Sequence, residues 1–539
     1  MNLRRTHGEV DIGVRPLQSV LNSLRRIEPR HAVLALMATA AILHIVMAAA
    51  VGLGNDETYT VSNARILSLS YVDYPPLHVW LVGIWSRLVH SESAFVVRVP
   101  FVLLFAASTW LMFSLTEFLF SARAGFWAAL AFNIAPVYAL AHGDWVLPDG
   151  PLTFFMLAAA VTIARLLFSA DQPSIKIAAW ALAGVLVGLA TLTKYHGVFL
   201  AIGTFAFLLS WPPGRQVLRT PAPWVALCLA LVILLPVLAW NEAHNWIGLT
   251  FQSRRLTESV NISVVRVLLN IVEQAAYLSP WLFVPQCLVL WRGLRTGPSS
   301  KETWLLSLLA AGPIVVFTAA ALFAKGLPHW SMPGWLFTFP LLGNFITNFK
   351  AHRTVIAIGT LGATVFTFLL MVAFVGQANV GWFTNDLSLR VRAADPTLDL
   401  LSWREVRIAI RRRHLIDSLT PAIAGSRWMD AAKLNYEMGT TTPVLCLCDD
   451  PQQFRFLHSP ANYFGRNVII IQTKEQFDKH GPIFARWFDK VKSLSPIMLH
   501  RGGNDALELF VFRGIKLKQG PEGYSDRTNS HGRTTSGPQ

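Results

Sequence analysis

The sequence predicts an all-α, polytopic membrane domain of about eleven spanning helices plus interfacial helices, followed by a small extracytoplasmic α/β domain. Three observations carry this. Of 539 residues, 53% are hydrophobic and only 14% charged, against about 25% charged in soluble chains. The apolar excess comes in runs long enough to cross ~30 Å of hydrocarbon, which takes about 20 residues in a helix. From residue 377 onward the composition turns soluble.

Residues 1–31 form a basic N-terminus, with Arg4, Arg5, Arg15, Arg25, Arg26 and Arg30 ahead of a run at 32–53 that holds no Asp, Glu, Lys or Arg. That run is too long for a signal-peptide core, and no small-residue cleavage site closes it, so it reads as a retained span. Spans follow near 96–120, 125–142, 150–169, 176–193, 196–211, 223–240, 280–292, 303–324, 330–347 and 353–376. The run 77–89 is short and interrupted by Arg87. Leaving it out places the loops with Arg215 and Arg219, with Arg292, Arg295 and Lys301, and with Lys350, His352 and Arg353 on the side of the basic N-terminus, as the positive-inside rule asks. It is therefore read as an interfacial helix; the N-terminus is cytoplasmic and everything after Phe374 is outside. Apolar residues alternating with Arg266, Asn270 and Glu273 at helical spacing give a second interfacial helix over 264–277.

The membrane domain is thus expected over 32–376 and a soluble α/β domain over 377–518. In the latter, 387–414 reads as helical and basic, and 443–448, 467–471 and 507–512 as short strands. The Gly/Ser/Thr/Arg-rich tail from 519 to 539 reads as disordered. No repeat of 20–50 residues is visible.

The net charge of +15 would point a soluble protein to nucleic acid. Here the basic residues fall between apolar runs, without a zinc-finger, RRM or helix-turn-helix pattern, so they set topology and meet headgroups. Cys228 and Cys287 sit in apolar runs as small hydrophobes. Cys446 and Cys448 would share one strand face; no further zinc ligand lies near, and a strained disulfide stays open.

The ionisable residues gather at the outward ends of the spans. Asp56 and Glu57 follow the first one, with Asp73 further along the same loop; Asp144 and Asp149 share a short loop with His142. Lys194, Arg254, Arg255, Lys325 and His329 supply cations on that side. Any one alone reads as a solvated loop charge. Together they suit glycosyl transfer from a lipid-phosphate sugar: a carboxylate takes the proton of the attacking hydroxyl, and cations hold the departing phosphate. A phosphate leaves without protonation, so one catalytic carboxylate suffices for inversion. A transporter, the rival from another class, would bring internal repeats and charges at mid-span; neither is visible.

Five segments then carry a family resemblance: Asn55-Asp56-Glu57-Thr58-Tyr59; Tyr71-Val72-Asp73-Tyr74-Pro75-Pro76-Leu77; Leu147-Pro148-Asp149-Gly150-Pro151-Leu152; Trp240-Asn241-Glu242-Ala243-His244-Asn245-Trp246 with Phe251-Gln252-Ser253-Arg254-Arg255; and Lys325-Gly326-Leu327-Pro328-His329-Trp330. In this order, across roughly 30–376, the sequence resembles the GT-C fold glycosyltransferases of the ArnT-like, protein-mannosyltransferase-related family (glycosyltransferase family 39). Tyr74 stands where relatives commonly have His before the Pro pair, and Gly150 where they have Ala. The resemblance implies Asp56 as general base, with Glu57 beside it orienting the acceptor or tuning that base. It implies Asp149, with Asp144, Asp73 and Tyr59, on acceptor or sugar hydroxyls. Lys325 and His329, then Lys194, Arg254 and Arg255, would hold the donor phosphate. The implied donor is a polyprenyl-phosphate sugar in a bacterial inner membrane. The acceptor would be a periplasmic envelope glycolipid or glycan, such as lipid A or lipopolysaccharide, with protein hydroxyls as the alternative. A divalent metal held by acids and phosphate stays open.

Overall fold

A computed structural model describes residues 28–521 except 171, 257–261, 325, 350–352, 386 and 389–394. The N-terminal arginines up to Arg26, Lys325, Lys350, His352 and the tail from 522 lie outside the described residues.

Helices occupy all eleven apolar runs in order. Those used below are α1 (Pro29–Ala50), α2 (Asn55–Ala64), α3 (Leu77–Val89), α4 (Ala94–Leu119) and α5 (Asp149–Phe168). Among the described residues, five helices are long and apolar enough to cross a membrane alone: α1, α4, α5, Lys301–Ala320 and Ile358–Val380. Three bent pairs raise this to eight: Tyr195–Ser210 with Pro212–Leu218 at 115°, Ala222–Ile233 with Leu235–Ala243 at 40°, and Val264–Leu278 with Pro280–Ser299 at 111°. The other runs are shorter helices: Ala122–Ile134 with a π turn at Tyr138–His142, Ile177–Thr193, and Thr338–Asn348. Prolines 136, 212, 236 and 280 stand at the breaks, where each removes a backbone donor and crowds the preceding turn.

Hydropathy alone could not say which way the helix Val264–Leu278 faces. Its buried residues include Asn270 and Gln274, while Val264, Val265, Leu268, Leu269 and Val272 are exposed. Asn270 donates to the Gly326 carbonyl at 3.0 Å and Gln274 to Thr318 Oγ1 at 3.0 Å. The polar stripe faces protein and the apolar stripe faces outward, as in a helix bathed in lipid.

After α1 the chain turns through Gly52 and Gly54 into α2. Asp56 and Glu57 lie in its first turn, where negative charge meets the positive end of the helix dipole. Glu57, at the third helical position, accepts the Gly54 N–H at 2.7 Å and so satisfies the N-cap backbone donor.

The C-terminal unit is a five-stranded sheet of order β2-β1-β3-β5-β4. Its strands are β1 (Ala422–Gly425), β2 (Val444–Cys446), β3 (Val468–Thr473), β4 (Phe488–Arg501) and β5 (Asn504–Leu517). β1 lies between its parallel neighbours β2 and β3, and β5 runs antiparallel to β3 and β4. The β4–β5 hairpin turns on Gly502 and Gly503, with φ of 56° and 83°, the left-handed pair that a two-residue turn demands. Between β1 and β2 runs α6 (Trp428–Met438). Cys446 and Cys448 are joined by a disulfide. Three of the five strands match the sequence reading. β1 is too short to announce itself, and β4 is a polar edge strand interrupted at Pro496, beside a register shift between Leu494 and Ile497. Of the helix expected across 387–414, the described residues form a 3₁₀ turn at Pro396–Leu400 and a helix at Arg404–Arg412, and 389–394 lie outside the described residues.

Candidate active site

Helix α2 is gripped from both sides. On the membrane side, Glu57 accepts from Arg98 Nε at 2.8 Å, Arg98 Nη2 at 2.5 Å and Val146 N at 3.0 Å, besides Gly54. Arg98, in α4, also donates to the carbonyls of Ala48, Val51 and Gly52. Glu57 is 2% exposed. Burial acts to raise its carboxyl, but the Arg98 charge and these donors hold it below its ordinary value. With its oxygens engaged by protein donors, Glu57 holds the helix end, and its charge adds to the rise in pKa at the neighbouring Asp56.

From the other side comes α6. Lys433, 3% exposed, donates to the Leu53 carbonyl at 2.5 Å, to the Leu401 carbonyl at 3.2 Å and to the Asp399 carbonyl. At the far end of α2, Arg65 donates to the Asn435 carbonyl at 2.7 Å and pairs with Glu92. The segment carrying Asp399 runs so close that a Cβ on Gly52 would lie 2.3 Å from the Leu400 oxygen; glycine is needed there for space.

Asp56 is the acid this scaffold leaves open. Its side chain is exposed and its carboxylate accepts no hydrogen bond from the described residues; only its backbone oxygen is used, by Thr60. Protein packed around the cleft raises its pKa to about 6, Asp399 adds to the rise, and Arg255 opposes it. Asp399, which sequence reasoning missed, receives the Asn55 amide at 2.8 Å. It lies 344 positions from Asn55 in a loop with no motif, so no sequence signal could have found it. Arg98 did leave a signal: a guanidinium within an apolar span is costly unless it has work there.

The other expected residues divide. Arg255, stacked over the Phe251 ring at 4.9 Å, acts electrostatically on both Asp56 and Asp73; Arg254 is exposed. Asp73 and Tyr59 are buried and bonded to each other, and Tyr59 Oη also accepts the Gln453 N–H at 2.9 Å. Burial pushes Asp73 up to about 7. Tyr59 thus struts α2 against the first loop and the C-terminal unit, which corrects its assignment to sugar hydroxyls. Lys194 and Asp149 form a closed ion pair at 2.8 Å, with side chains 6% and 8% exposed. Each is thus partnered by the other in this structure. Asp144 is wholly enclosed, its oxygen 3.9 Å from His44 Nδ1 of α1. His329 is half-buried, edge-on to Trp330 and near enough to Asp149 to act on it. Among the described residues no group of three or more His, Cys, Asp or Glu could hold a metal ion.

The molecule is thus a multi-pass membrane protein of the GT-C fold, with an acidic cleft between its helical domain and its α/β unit. Residues 73–240 match the family described as dolichyl-phosphate-mannose-protein mannosyltransferase. The chain is similar to the lipid A galacturonosyltransferase RgtD of Rhizobium johnstonii, 25% identical over 271 residues that make up 50% of this chain and 55% of that protein. It therefore spans about half the length of that curated relative. Among solved structures it resembles ArnT from Cupriavidus metallidurans, both bound to undecaprenyl phosphate and in the apo state. Each aligns with TM-score 0.61 and 14% identity over 89% of this chain and 97% of that one. The GT-C resemblance read from the five segments is upheld.

Proposed function

We propose that this protein is an inverting glycosyltransferase that moves a sugar from a polyprenyl-phosphate donor to a hydroxyl of a periplasmic envelope glycolipid, with Asp56 as general base. The observation that carries this is the Asp56 carboxylate: solvent-accessible, without a hydrogen-bond donor among the described residues, and raised to about 6. Such a group is about nine-tenths ionised at pH 7 yet basic enough to take a hydroxyl proton in the transition state. The acceptor oxygen bonds to the anomeric carbon as the carbon–phosphate-oxygen bond breaks, its electron pair leaving on the phosphate. Arg255 faces that growing charge, with Lys325 and His329 as further phosphate ligands. The similarity to RgtD and to ArnT bound to undecaprenyl phosphate supports this donor and acceptor class, and the outward orientation of the cleft follows from the positive-inside reading.

The test is mass spectrometry of envelope glycolipids from cells with the gene, without it, and complemented with Asp56→Asn. One sugar mass should appear on a glycolipid only with the parent gene. No change in any glycolipid, or full modification by Asp56→Asn, overturns the proposal. The match to a protein-mannosyltransferase family favours a second reading, in which the same increment falls on periplasmic proteins.

A further inference from the structure

The parallel strands β2, β1 and β3 end on one edge of the sheet, and in open α/β sheets ligands lie in the crevice beyond such carboxyl ends. A cleft of about 310 Å³ occupies that place here, at the small end of the ~300–1,000 Å³ of small-molecule sites. Its walls come from the chain leaving each strand: Trp428 after β1, Asp449 and Asp450 after β2, and Gln472 near the end of β3.

Acceptors predominate among the polar groups of this cleft, which Ser426, Arg427 and Gln476 also line. Gln472 is 1% exposed, and its Oε1 has no hydrogen-bond donor among the described residues, while its Nε2 is used by the Gly481 carbonyl. A buried carbonyl without a donor is costly, and Gln472 lines the cleft, so a ligand hydroxyl that reaches its Oε1 would relieve that cost. Asp450 is exposed at the rim. Asp449 is tied to Arg486 at 2.9 Å through one oxygen, which leaves the other facing outward. Arg427, itself on the wall, is occupied by Asp430 at 2.9 Å. The cleft therefore offers mainly acceptors and one indole wall, with the Arg427 charge offset by that pairing. That suits a ligand rich in hydroxyl donors and disfavours an anion.

Trp428 connects the cleft to the chemistry. Its ring packs edge-on against Tyr59, with centroids 5.1 Å apart, and Tyr59 belongs to the helix that carries Asp56. We propose that this cleft binds a neutral glycosyl unit of the acceptor, seated on Gln472 Oε1 and the Asp449 and Asp450 carboxylates. That the sugar belongs to the acceptor rests on the glycosyl-transfer reading; the sugar binding does not.

Saturation-transfer NMR on the full-length protein in lipid nanodiscs, with methyl α-glucopyranoside as probe and no donor present, tests it. The parent should give a saturable signal. Asp450→Asn and Gln472→Met should each weaken binding at least fivefold, while Asp478→Asn, outside the cleft, leaves it unchanged. Because Asp450 is exposed, its variant tests the site even if Gln472→Met fails to fold. No saturable signal in the parent, equal binding by Asp450→Asn, or occupancy by calcium alone without the sugar overturns the subsite. Sugar binding without any detectable transfer would leave the subsite standing and sink the transferase reading; transfer without sugar binding would do the reverse.

Discussion

Arg98 grips Glu57 with two prongs, Nη2 at 2.5 Å from one carboxylate oxygen and Nε at 2.8 Å from the other, and both side chains are closed off from solvent. Breaking a buried pair by removing one partner costs about 3–5 kcal/mol, because it strands the other charge. Glu57→Gln and Arg98→Met should therefore lower the unfolding temperature and the yield of folded protein in membranes. Activity per folded molecule should fall far less than with Asp56→Asn. A Glu57→Gln variant that keeps the parent's thermal stability yet loses transfer would return Glu57 to the chemistry.

The acid limb of the transfer rate should titrate near pH 6, the value to which Asp56 is raised. Asp399 raises that value and Arg255 lowers it, so the two substitutions should move the limb in opposite senses. Asp399→Asn removes a like charge and should carry activity to lower pH. Arg255→Gln removes an opposite charge; it should move the limb to higher pH and raise the donor KM. Rate-against-pH profiles of the three proteins check this, and shifts of the same sign would mean another group titrates.

Asp149 and Lys194 should behave as one unit. Asp149→Asn and Lys194→Met each leave a buried partner without its counterion, and each should destabilise by about 3–5 kcal/mol. The double variant should fall short of the sum by about 0.5–3 kcal/mol. A double-mutant cycle on thermal unfolding measures it; strict additivity would show that the pair is not coupled.

Lys433→Met should leave the Leu53, Asp399 and Leu401 carbonyls short of a donor, at about 1–3 kcal/mol for each that water cannot reach. Because Leu53 and Asp399 flank the base, kcat should drop more than the loss of folded protein explains, with donor KM little changed. Lys433→Arg, too bulky for the same enclosed spot, should not restore it. Steady-state kinetics corrected for folded fraction would settle the matter.

Where the chain's own hydropathy decided the outcome, the sequence was legible. The polytopic character, the short helix at 77–89 and most of the sheet could be read, because apolar length and alternation are local properties. The prolines were visible too, but whether Pro212 bends a span by 115° or Pro236 by 40° depends on packing that no window of residues records. In the site, Asp56 announced itself by its motif. The sequence could not say that Glu57, one residue on, points away into Arg98. Nor could it say that Lys194 is spent on Asp149, since helix rotation and tertiary pairing decide both. Asp399 and Lys433 were invisible for a simpler reason: they reach the first outward loop from a unit more than 300 residues later in the chain.

The grip on helix Asn55–Ala64 bears on chimaeras. Grafting the soluble half of a similar protein onto this membrane half would replace Lys433, Asp399 and Asn435 at a stroke, and the Leu53 carbonyl and the Arg65 guanidinium would face whatever the graft supplied. Exchange of acceptor preference between relatives by swapping soluble halves should therefore succeed only when the segment 52–65 travels with the graft. The natural crossover point lies inside the first long loop, and the visible boundary at the end of the last membrane helix is the wrong place to cut.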